Sequence, residues 1–343
     1  MNHMAGKIYV TGDCHSDFRK FNMENFPEQR NLDKEDFVII CGDFGGIWDV
    51  GWESKREKYW LKWLEEKNYT TLFVDGNHEN FDRLNGYPVK EWNGGLVHEI
   101  RPSVLHLMRG QVFHIAGQKI FTLGGAQSHD VSGGILDTED PDFVKKKKEA
   151  DKGWKPYRIK HLPWWQEELP SDMEYDIASK NLEEAGFQVD YIISHCCSTD
   201  CQNIIDPNGG FQSDPLTDFF NLVRTRCKFT RWYFGHYHMD LTVSPKETLL
   251  FNVILPIGET VEKKEYIPGR PRYNRGEKVD FWSNIGSCRI KLVGKIEIVD
   301  RYGSYERPDE PSYDIYAYYD DRNILFKHVP ETDVIGYSEQ EEE

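Results

Sequence analysis

Short apolar segments separated by polar turns recur through most of the chain. They are rich in Val, Ile, Phe and Tyr and too short for typical helices, which indicates buried β-strands. The clearest predicted strands cover residues 7–11, 37–41, 71–74, 189–193 and 230–234. A hairpin region is predicted over residues 104–108, 111–115 and 119–123, and a closing strand over residues 248–254.

Between these strands the apolar spacing changes to the three-to-four pattern of amphipathic helices, first within residues 53–67. Ser171 and Glu174 form a capping box, which predicts a helix from there to about Gly186. A further helix is predicted to begin at Asp214, which is followed by a proline at the first helical position. This alternation of strands and helices predicts an α/β fold.

Towards the C-terminus the composition changes. Residues 259–278 are dominated by Lys, Glu, Pro, Gly and Arg, as in an exposed connection. Strands rich in Ile, Val and Tyr are predicted within residues 287–299 and 313–328. We therefore expect a main domain over residues 7–258, a linker over residues 259–278 and a β-rich C-terminal extension over residues 279–343.

The net charge of the chain limits the molecules that it can bind. The 343 residues carry a formal net charge of -16 at pH 7, so a long nucleic acid is disfavoured. A small phosphorylated substrate is compatible with this charge, because bound divalent cations reverse its sign locally. In so acidic a chain, the consecutive lysines at positions 145–148 are interpreted as a solvated face.

The seven cysteines follow no disulfide-framework spacing, and no charged-then-apolar leader begins the chain. No apolar stretch approaches the roughly 20 residues that span a bilayer. We therefore expect a reducing, cytoplasmic setting and no membrane segment. Cys196, Cys197 and Cys201 form one short cluster, which we interpret as unligated thiols in preference to a zinc site.

Residues that could bind metal ions or take part in catalysis directly follow most of the predicted strands. In chain order these residues are Asp13 and His15, Asp43, Asn77 and His78, His195, and His236 and His238. Side chains two apart on an extended segment share a face, so Asp13 and His15 are predicted to project together, as are His236 and His238. Any one of these motifs alone more often marks a turn in which the polar side chain has a structural role. Their recurrence at successive strand ends indicates one site at the edge of the sheet.

The order of motifs resembles the calcineurin-like metallophosphoesterase family. Its pattern is Asp-x-His, Gly-Asp, Gly-Asn-His-Glu/Asp, a single His and Gly-His-x-His, and the resemblance covers roughly residues 7–258. It implies a four-layer α/β/β/α sandwich of two mixed β-sheets flanked by helices, here with the β-rich C-terminal extension. It also implies two metal ions, one held by Asp13, His15, Asp43 and His238 and the other by Asp43, Asn77, His195 and His236.

Mixed imidazole, carboxylate and amide ligands favour divalent or trivalent Mn, Fe, Zn or Ni over an all-oxygen calcium site. Two such ions roughly 3.5–4 Å apart can share Asp43 and lower the pKa of a bridging water towards about 7. The hypothesis is a phosphomonoesterase or phosphodiesterase acting on a small or nucleotide-like substrate. In it, a metal-bridging hydroxide attacks phosphorus and His78 protonates the leaving group.

Two positions depart from the family pattern. Ser16 stands where glycine is common, and the Asp43 loop lacks the Asp-Arg-Gly of phosphoprotein phosphatases, which disfavours a phosphoprotein substrate. Arg109 and Arg158 are candidates for contacting a phosphoryl group, although ion pairs are their preferred roles. The loop over residues 124–128 is a further candidate to approach the substrate.

Two alternatives stay open. One is a nuclease that acts on single-stranded nucleic acid, and the other is a non-catalytic, metal-binding interaction scaffold of the same fold. The acidic charge argues against long polymers, and the retention of His78 with the full ligand set argues against the scaffold. Fold alone does not establish activity.

Overall fold

The computed structural model describes residues 6–128, 131–153, 155–162, 164–206, 211–261, 270–285, 288–301, 310–319 and 322–338. The chain divides into two units. Unit 1 comprises Met1–Ser128 and His161–Lys263, and unit 2 comprises His129–Lys160 and Lys264–Glu343. None of the helices in the described ranges has both the length and the apolar character needed to cross a membrane.

The strands and helices are numbered in chain order. The strands are β1 (Ile8–Thr11), β2 (Phe37–Cys41), β3 (Thr70–Val74), β4 (Val89–Trp92), β5 (Gly95–Arg101), β6 (Val104–Leu107), β7 (Gln111–Ile115), β8 (Gln118–Leu123), β9 (Ile135–Leu136), β10 (Arg158–Ile159), β11 (Tyr191–Ser194), β12 (Arg231–Phe234), β13 (Leu241–Ser244), β14 (Glu247–Leu249), β15 (Ile254–Pro256), β16 (Lys278–Ile285), β17 (Cys288–Asp300), β18 (Ser312–Tyr319), β19 (Arg322–Pro330) and β20 (Val334–Tyr337). The α-helices are α1 (Lys55–Glu65), α2 (Phe81–Leu84), α3 (Phe143–Lys152), α4 (Asp172–Glu184), α5 (Thr199–Ile205) and α6 (Pro215–Arg226).

Unit 1 contains two mixed β-sheets, as predicted. The first has the strand order β15-β1-β2-β3-β6-β5-β4, in which β1, β2, β3 and β6 are parallel. The second has the order β13-β14-β12-β11-β8-β7, in which β14, β12, β11 and β8 are parallel. The carboxyl ends of neighbouring parallel strands meet at one edge of a sheet, so the loops that follow them are brought together.

The alternation of side chains along the central strands explains the layers. On β2, Val38 and Ile40 pack in a cluster that includes Leu61 of α1, whereas Ile39 on the opposite face packs in a second cluster that includes Ile193 of β11. Because this second cluster contains residues of both sheets, it is the layer between them. The other face of the second sheet packs on residues of α4, α5 and α6. The predicted four-layer α/β/β/α architecture is confirmed.

The predicted helix boundaries are also close to those observed. α1 lies within residues 53–67, and the predicted Ser171–Glu174 capping box opens α4. The side chain of Asp214 accepts hydrogen bonds from the first amides of α6. Each of these three helices therefore begins where a polar side chain satisfies free N–H groups of its first turn.

The prediction of one closing strand over residues 248–254 is wrong. This segment contains the end of β14 and the start of β15, which belong to different sheets. Between them, the Asp240 carboxylate accepts backbone N–H groups of Phe251 at 2.7 Å and Val253 at 3.3 Å. Those amides consequently do not extend a strand, and the chain crosses from the second sheet to the first.

Unit 2 is rich in β-structure, as expected of the C-terminal extension. Its five-stranded antiparallel sheet has the order β19-β18-β17-β16-β20, and β9 pairs with β10. Residues 313–328, predicted as strand, cover parts of both β18 and β19. The grouping of residues 129–160 with the C-terminal residues was not expected. Of the predicted linker, residues 262–269 lie outside the described residues.

The lysines at 145–148 lie on α3 within unit 2. Lys145, Lys146 and Lys148 are exposed, and Lys146 forms an ion pair with Asp140 at 2.5 Å. Lys147 forms a second ion pair, with Asp151, at 3.1 Å. These lysines thus form the solvated face that the sequence predicted, and the structure adds the two ion pairs.

Glu57, the third residue of α1, connects three elements of unit 1. Its buried carboxylate accepts hydrogen bonds from the backbone N–H groups of Trp48 at 2.5 Å and Asp49 at 2.7 Å. It also forms an ion pair with Arg83 of α2 at 2.8 Å. Glu57 therefore fixes the loop that carries Trp48 relative to α1 and α2.

We expect Glu57→Ala to lower the free energy of unfolding by about 3 kcal/mol, because Arg83 and two backbone amides lose a buried partner. Urea unfolding followed by circular dichroism measures this change. Lys58→Ala, at an exposed position on the same helix, is the control and should change it by less than about 0.5 kcal/mol. Equal effects of the two substitutions would contradict the role assigned to Glu57.

Candidate metal centre

Asp43 joins the loops that follow β1 and β2. Its carbonyl oxygen accepts backbone N–H groups of Cys14 at 3.0 Å and His15 at 2.8 Å. The side chains of Asp13 and Asp43 are both buried, with relative exposures of 3% and 1% for the residues. His15 Nε2 lies 3.6 Å from an oxygen of each. Two carboxylates and one imidazole thus converge at the edge of the first sheet.

His238, from the loop after β12, completes this group from the second sheet. Its Nε2 lies 3.2 Å from Asp13 Oδ2 and 3.0 Å from His15 Nε2. One potential ligand atom from each of Asp13, His15, Asp43 and His238 can be chosen so that all four lie within 4.8 Å of one another. These are the residues assigned to the first metal ion by the family resemblance.

His195, directly after β11, organises a second group on the other side of Asp43. The ring is fully buried, and its Nδ1 donates to the carbonyl oxygen of Cys41 at 2.8 Å. Its Nε2 faces Asp43 Oδ1 and Asn77 Oδ1, each at 3.3 Å. The His236 ring lies next to it, with a centroid distance of 4.9 Å. The structure therefore brings together all four residues assigned to the second ion.

The geometric reason given for the paired residues is wrong. His15, His236 and His238 are not extended but left-handed, with φ angles of 46°, 71° and 50°, and Asp43 has a φ of 44°. The His236 ring turns towards His195, whereas the His238 ring turns towards His15. Tight turns, which are strained for residues with a side chain, direct these groups to separate positions.

Ser16, the departure from the family pattern, is also left-handed, with a φ of 65°. Glycine adopts this conformation more readily, which explains its frequency at this position. Ser16 retains the turn through two hydrogen bonds to the Asp43 loop. Its backbone N–H donates to Phe44 O at 3.3 Å, and its hydroxyl donates to Gly45 O.

His78 lies at the rim of the site. Its backbone N–H donates to Asp43 Oδ1 at 2.8 Å, so the loop after β3 is attached directly to the shared aspartate. Its ring is 5.2 Å from the His15 ring and 5.8 Å from the Trp48 ring, measured between centroids. The residue is partly exposed, which leaves the imidazole accessible from the solvent side.

The electrostatics of the site suit bound cations. Burial opposes charge on Asp13 and Asp43, yet the neighbouring imidazoles hold the pKa of both carboxyls well below the usual value. Burial likewise opposes charge on His195, but Asp43 and Asp13 raise its pKa to about 9. Asp13 Oδ2 is buried and accepts no hydrogen bond from any described residue. Imidazoles here supply positive charge that a metal ion supplies in a loaded centre, so the donor set fits such ions.

Lys20 supports this centre and was missed by the sequence analysis. Its buried ammonium group donates to the carbonyl oxygens of Gly12 at 2.9 Å, Asp13 at 2.8 Å and Phe251 at 2.9 Å. The Phe251 ring in turn stacks on His238 with a centroid distance of 4.9 Å. Lys20 therefore links the Asp13 loop to the segment that supports His238. No motif or spacing in the sequence marks this lysine.

Glu79 has a comparable role at Asp43. Its fully buried carboxyl accepts backbone N–H groups of Phe44 at 2.7 Å and Gly45 at 3.3 Å. Burial and the charge of Asp43 raise its pKa well above the usual value. Glu79 is the last residue of the Gly-Asn-His-Glu motif, and the structure shows that it fixes the Asp43 loop.

The family model of calcineurin-like phosphoesterases matches residues 6–240, which include all the loops described above. The chain belongs to the calcineurin-like phosphoesterase family. Proteins of this family are generally metal-dependent phosphoester hydrolases with a dinuclear metal site. No curated protein matches the chain significantly.

Arg109 forms an ion pair, its preferred predicted role. Its guanidinium donates to Asp75 Oδ2 from Nε at 2.9 Å and from Nη2 at 2.6 Å, and both residues are buried. His106 Nε2 donates to Asp75 Oδ1 at 3.0 Å, which leaves its Nδ1 to accept the Nδ1–H of His98 at 3.0 Å. This network fixes the residue that begins the Asn77 loop. Arg158, the other candidate, is buried on β10 in unit 2.

His98, buried at the end of this network, makes stability depend on pH. Burial and the adjacent His106 lower its pKa to about 4, against the opposing charge of Asp75. Between pH 6.5 and 4 the unfolded chain therefore binds a proton that the folded chain does not. Stability should fall as the pH decreases through this window, by up to about 1 kcal/mol per pH unit from this residue.

Urea unfolding of the wild type and of His98→Asn between about pH 4.5 and pH 7 measures this contribution as a difference in slope. We expect the free energy of unfolding of His98→Asn to depend less steeply on pH than that of the wild type. His114→Asn, at an exposed histidine on β7, should retain the wild-type slope. Parallel curves for the wild type and His98→Asn would contradict the assignment.

Proposed function

We propose that the chain is a phosphodiester hydrolase that uses two transition-metal ions and acts on a small substrate. The observation that carries this proposal is the position of Asp43 between two groups of donors. Its Oδ2 lies 3.6 Å from His15 Nε2, and its Oδ1 lies 3.3 Å from His195 Nε2. A carboxylate so placed is suited to contact two cations at once. Such cations supply Lewis acidity and activate water at neutral pH.

The proposed ligands follow the two observed groups. Asp13, His15, Asp43 and His238 would hold one ion, and Asp43, Asn77, His195 and His236 the other. The hydrogen bond from His195 Nδ1 to Cys41 O supports this assignment. It keeps a proton on Nδ1 and directs Nε2, the nitrogen that would bind a metal ion in place of its proton, towards Asp43 and Asn77. Mn, Fe, Zn and Ni all accept this mixture of nitrogen and oxygen donors.

His78 is the proposed general acid. Its partly exposed ring lies beside the His15 ring at the rim of the site, where a leaving group can reach it. The hydrogen bond from its backbone to Asp43 holds it close to the reaction centre. A histidine proton in this place would neutralise the departing alkoxide.

A diester is favoured over a monoester by the charge of the surrounding loops. Five loops carry the proposed ligands, residues 12–17, 42–46, 75–79, 194–198 and 235–240, and their sequences contain acidic residues but no Lys or Arg. The nearby cations Arg109, Arg83 and Lys20 are engaged with Asp75, Glu57 and backbone carbonyls. A monoester carries up to two negative charges at neutral pH and a diester carries one. The two metal ions would attract either ester, but the loops offer no Lys or Arg to pair with the second charge of a monoester, which favours the diester.

Metal-free protein titrated with Mn²⁺ and assayed on two p-nitrophenyl substrates tests this function. We expect bis(p-nitrophenyl) phosphate to be hydrolysed with a higher kcat/KM than p-nitrophenyl phosphate, and Asp43→Asn to lower kcat/KM by at least about 10³-fold. Failure to hydrolyse either substrate with Mn, Fe, Zn or Ni would favour a non-catalytic scaffold. Faster cleavage of single-stranded nucleic acid than of the small diester would favour a nuclease.

The role of His78 is tested by changing the leaving group. In His78→Ala we expect kcat on a dialkyl phosphate to fall by about 10²–10⁴-fold, because an alkoxide needs a proton to leave. The loss on bis(p-nitrophenyl) phosphate should be much smaller, since p-nitrophenolate leaves readily. His114→Ala, at an exposed histidine, should retain both activities. Full activity of His78→Ala on the dialkyl ester would exclude the proposed role.

The same proposal includes a reducing, cytoplasmic setting. Six cysteines are buried free thiols: Cys14, Cys41, Cys196, Cys197, Cys201 and Cys227. Three of them, Cys196, Cys197 and Cys201, lie together in the apolar layer between the second sheet and its helices. A setting that keeps thiols reduced is consistent with this packing.

A further inference from the structure

We propose that Ser128 and Glu168 are positioning residues that hold the Asn77 amide with its oxygen towards the second metal ion. This inference rests on the proposed dinuclear centre. It assigns a function to the loop over residues 124–128, which the sequence suggested only as a possible approach to the substrate. The three side chains form a chain of hydrogen bonds that begins at Asn77 and ends at the Glu168 carboxylate.

The geometry of this chain is well defined. Asn77 Nδ2 donates to Ser128 Oγ at 3.3 Å, and Ser128 Oγ donates to Glu168 Oε1 at 2.9 Å. The backbone N–H of Ser128 donates to the other carboxylate oxygen, Glu168 Oε2, at 3.2 Å. All three residues are buried, with relative exposures of 3% for Asn77, 3% for Ser128 and 2% for Glu168. Little solvent is therefore available to substitute for any of these partners.

The donors and acceptors allow this chain only one direction. The Ser128 hydroxyl directs its proton to Glu168 Oε1, and the other oxygen, Glu168 Oε2, accepts the Ser128 backbone N–H. The Ser128 lone pairs are then free to accept, and the Asn77 group that faces them is the amide nitrogen. Its oxygen consequently faces His195 Nε2, at 3.3 Å. A reversed amide would present N–H groups to a cation, which they cannot bind.

The backbone holds the two supporting residues together. Ser128 lies in the loop after β8, and Glu168 lies in a short 3-10 helix, Gln166–Glu168, that precedes α4. The backbone N–H of Ala126 donates to the Glu168 carbonyl oxygen at 3.1 Å. The two segments are thus attached independently of the side chains. The hydrogen bonds between the three side chains can therefore be altered while this backbone hydrogen bond remains.

Glu168→Gln is the most informative variant because it preserves size and changes only the donor pattern. The amide N–H₂ introduced by the substitution has two possible orientations. In the first it faces the Ser128 backbone N–H, and the two donors repel each other. In the second it faces the Ser128 hydroxyl and donates to it. In the second case the hydroxyl proton turns towards Asn77 and favours the reversed amide. A purely packing role for Glu168 predicts no effect of this substitution on metal binding.

Calorimetric titration of Mn²⁺ into the metal-free proteins measures the effect without reference to activity. For the wild type we expect two binding events. In Glu168→Gln and in Ser128→Ala one event should weaken by about 10–100-fold while the other is unchanged. Ser128→Thr, which keeps the hydroxyl, should restore the affinity. Glu167→Gln, the same change at an exposed neighbouring residue, should bind like the wild type.

A double-mutant cycle separates positioning of Asn77 from a general effect. Once Asn77→Ala has removed the amide, Glu168→Gln should change Mn²⁺ affinity no further. Equal weakening of both events, additive effects in the cycle, or wild-type binding by Glu168→Gln would overturn the inference. Absence of Mn²⁺ binding to the wild type would instead refute the dinuclear centre itself. Ser128→Ala removes a single oxygen atom and carries the same cycle should Glu168→Gln not fold.

Discussion

The structure depends on the close approach of two buried carboxylates, Asp13 and Asp43, which lie on either side of the same imidazole, His15. Buried negative charges at this distance need positive charge nearby, or the fold is destabilised. Imidazoles from four loops provide it here, and bound cations would provide more. The supporting interactions serve the same requirement. Lys20 and Glu79 fix the two aspartate loops by their backbones, so that the carboxylates cannot move apart.

The two-sheet architecture follows from this requirement. The carboxylates and Asn77 come from the first sheet, whereas His195, His236 and His238 come from the second. Besides the hydrogen bonds of His195 to Cys41 and of Lys20 to Asp13 and Phe251, the apolar layer between the sheets determines how closely these groups approach. Its members, including Ile39 and Ile193, lie on the strands that end at the site. Core packing in this layer therefore sets the dimensions of the metal centre.

The sequence was sufficient to predict the strands that lead into the site and, through the family resemblance, the two mixed sheets and the residues that converge. Each strand is a local apolar pattern, and each candidate ligand follows one directly. The sequence was not sufficient to predict interactions between residues that are distant along the chain. The crossing after β14 depends on Asp240, and the support of the Asp13 loop depends on Lys20 bonding to Phe251, neither of which leaves a periodic signal. The left-handed turns at His15 and His238 were missed because only glycine reliably indicates them.

The composition of unit 2 has a consequence for biosynthesis. Residues 129–160 leave the ribosome about a hundred residues ahead of the C-terminal segment with which they form one unit. Until those later residues are made, β9, β10 and α3 lack the five-stranded sheet of their unit. Unit 1 requires only residues up to Lys263 and can form first. All the residues that converge at the candidate metal centre are therefore synthesised before the C-terminal part of unit 2.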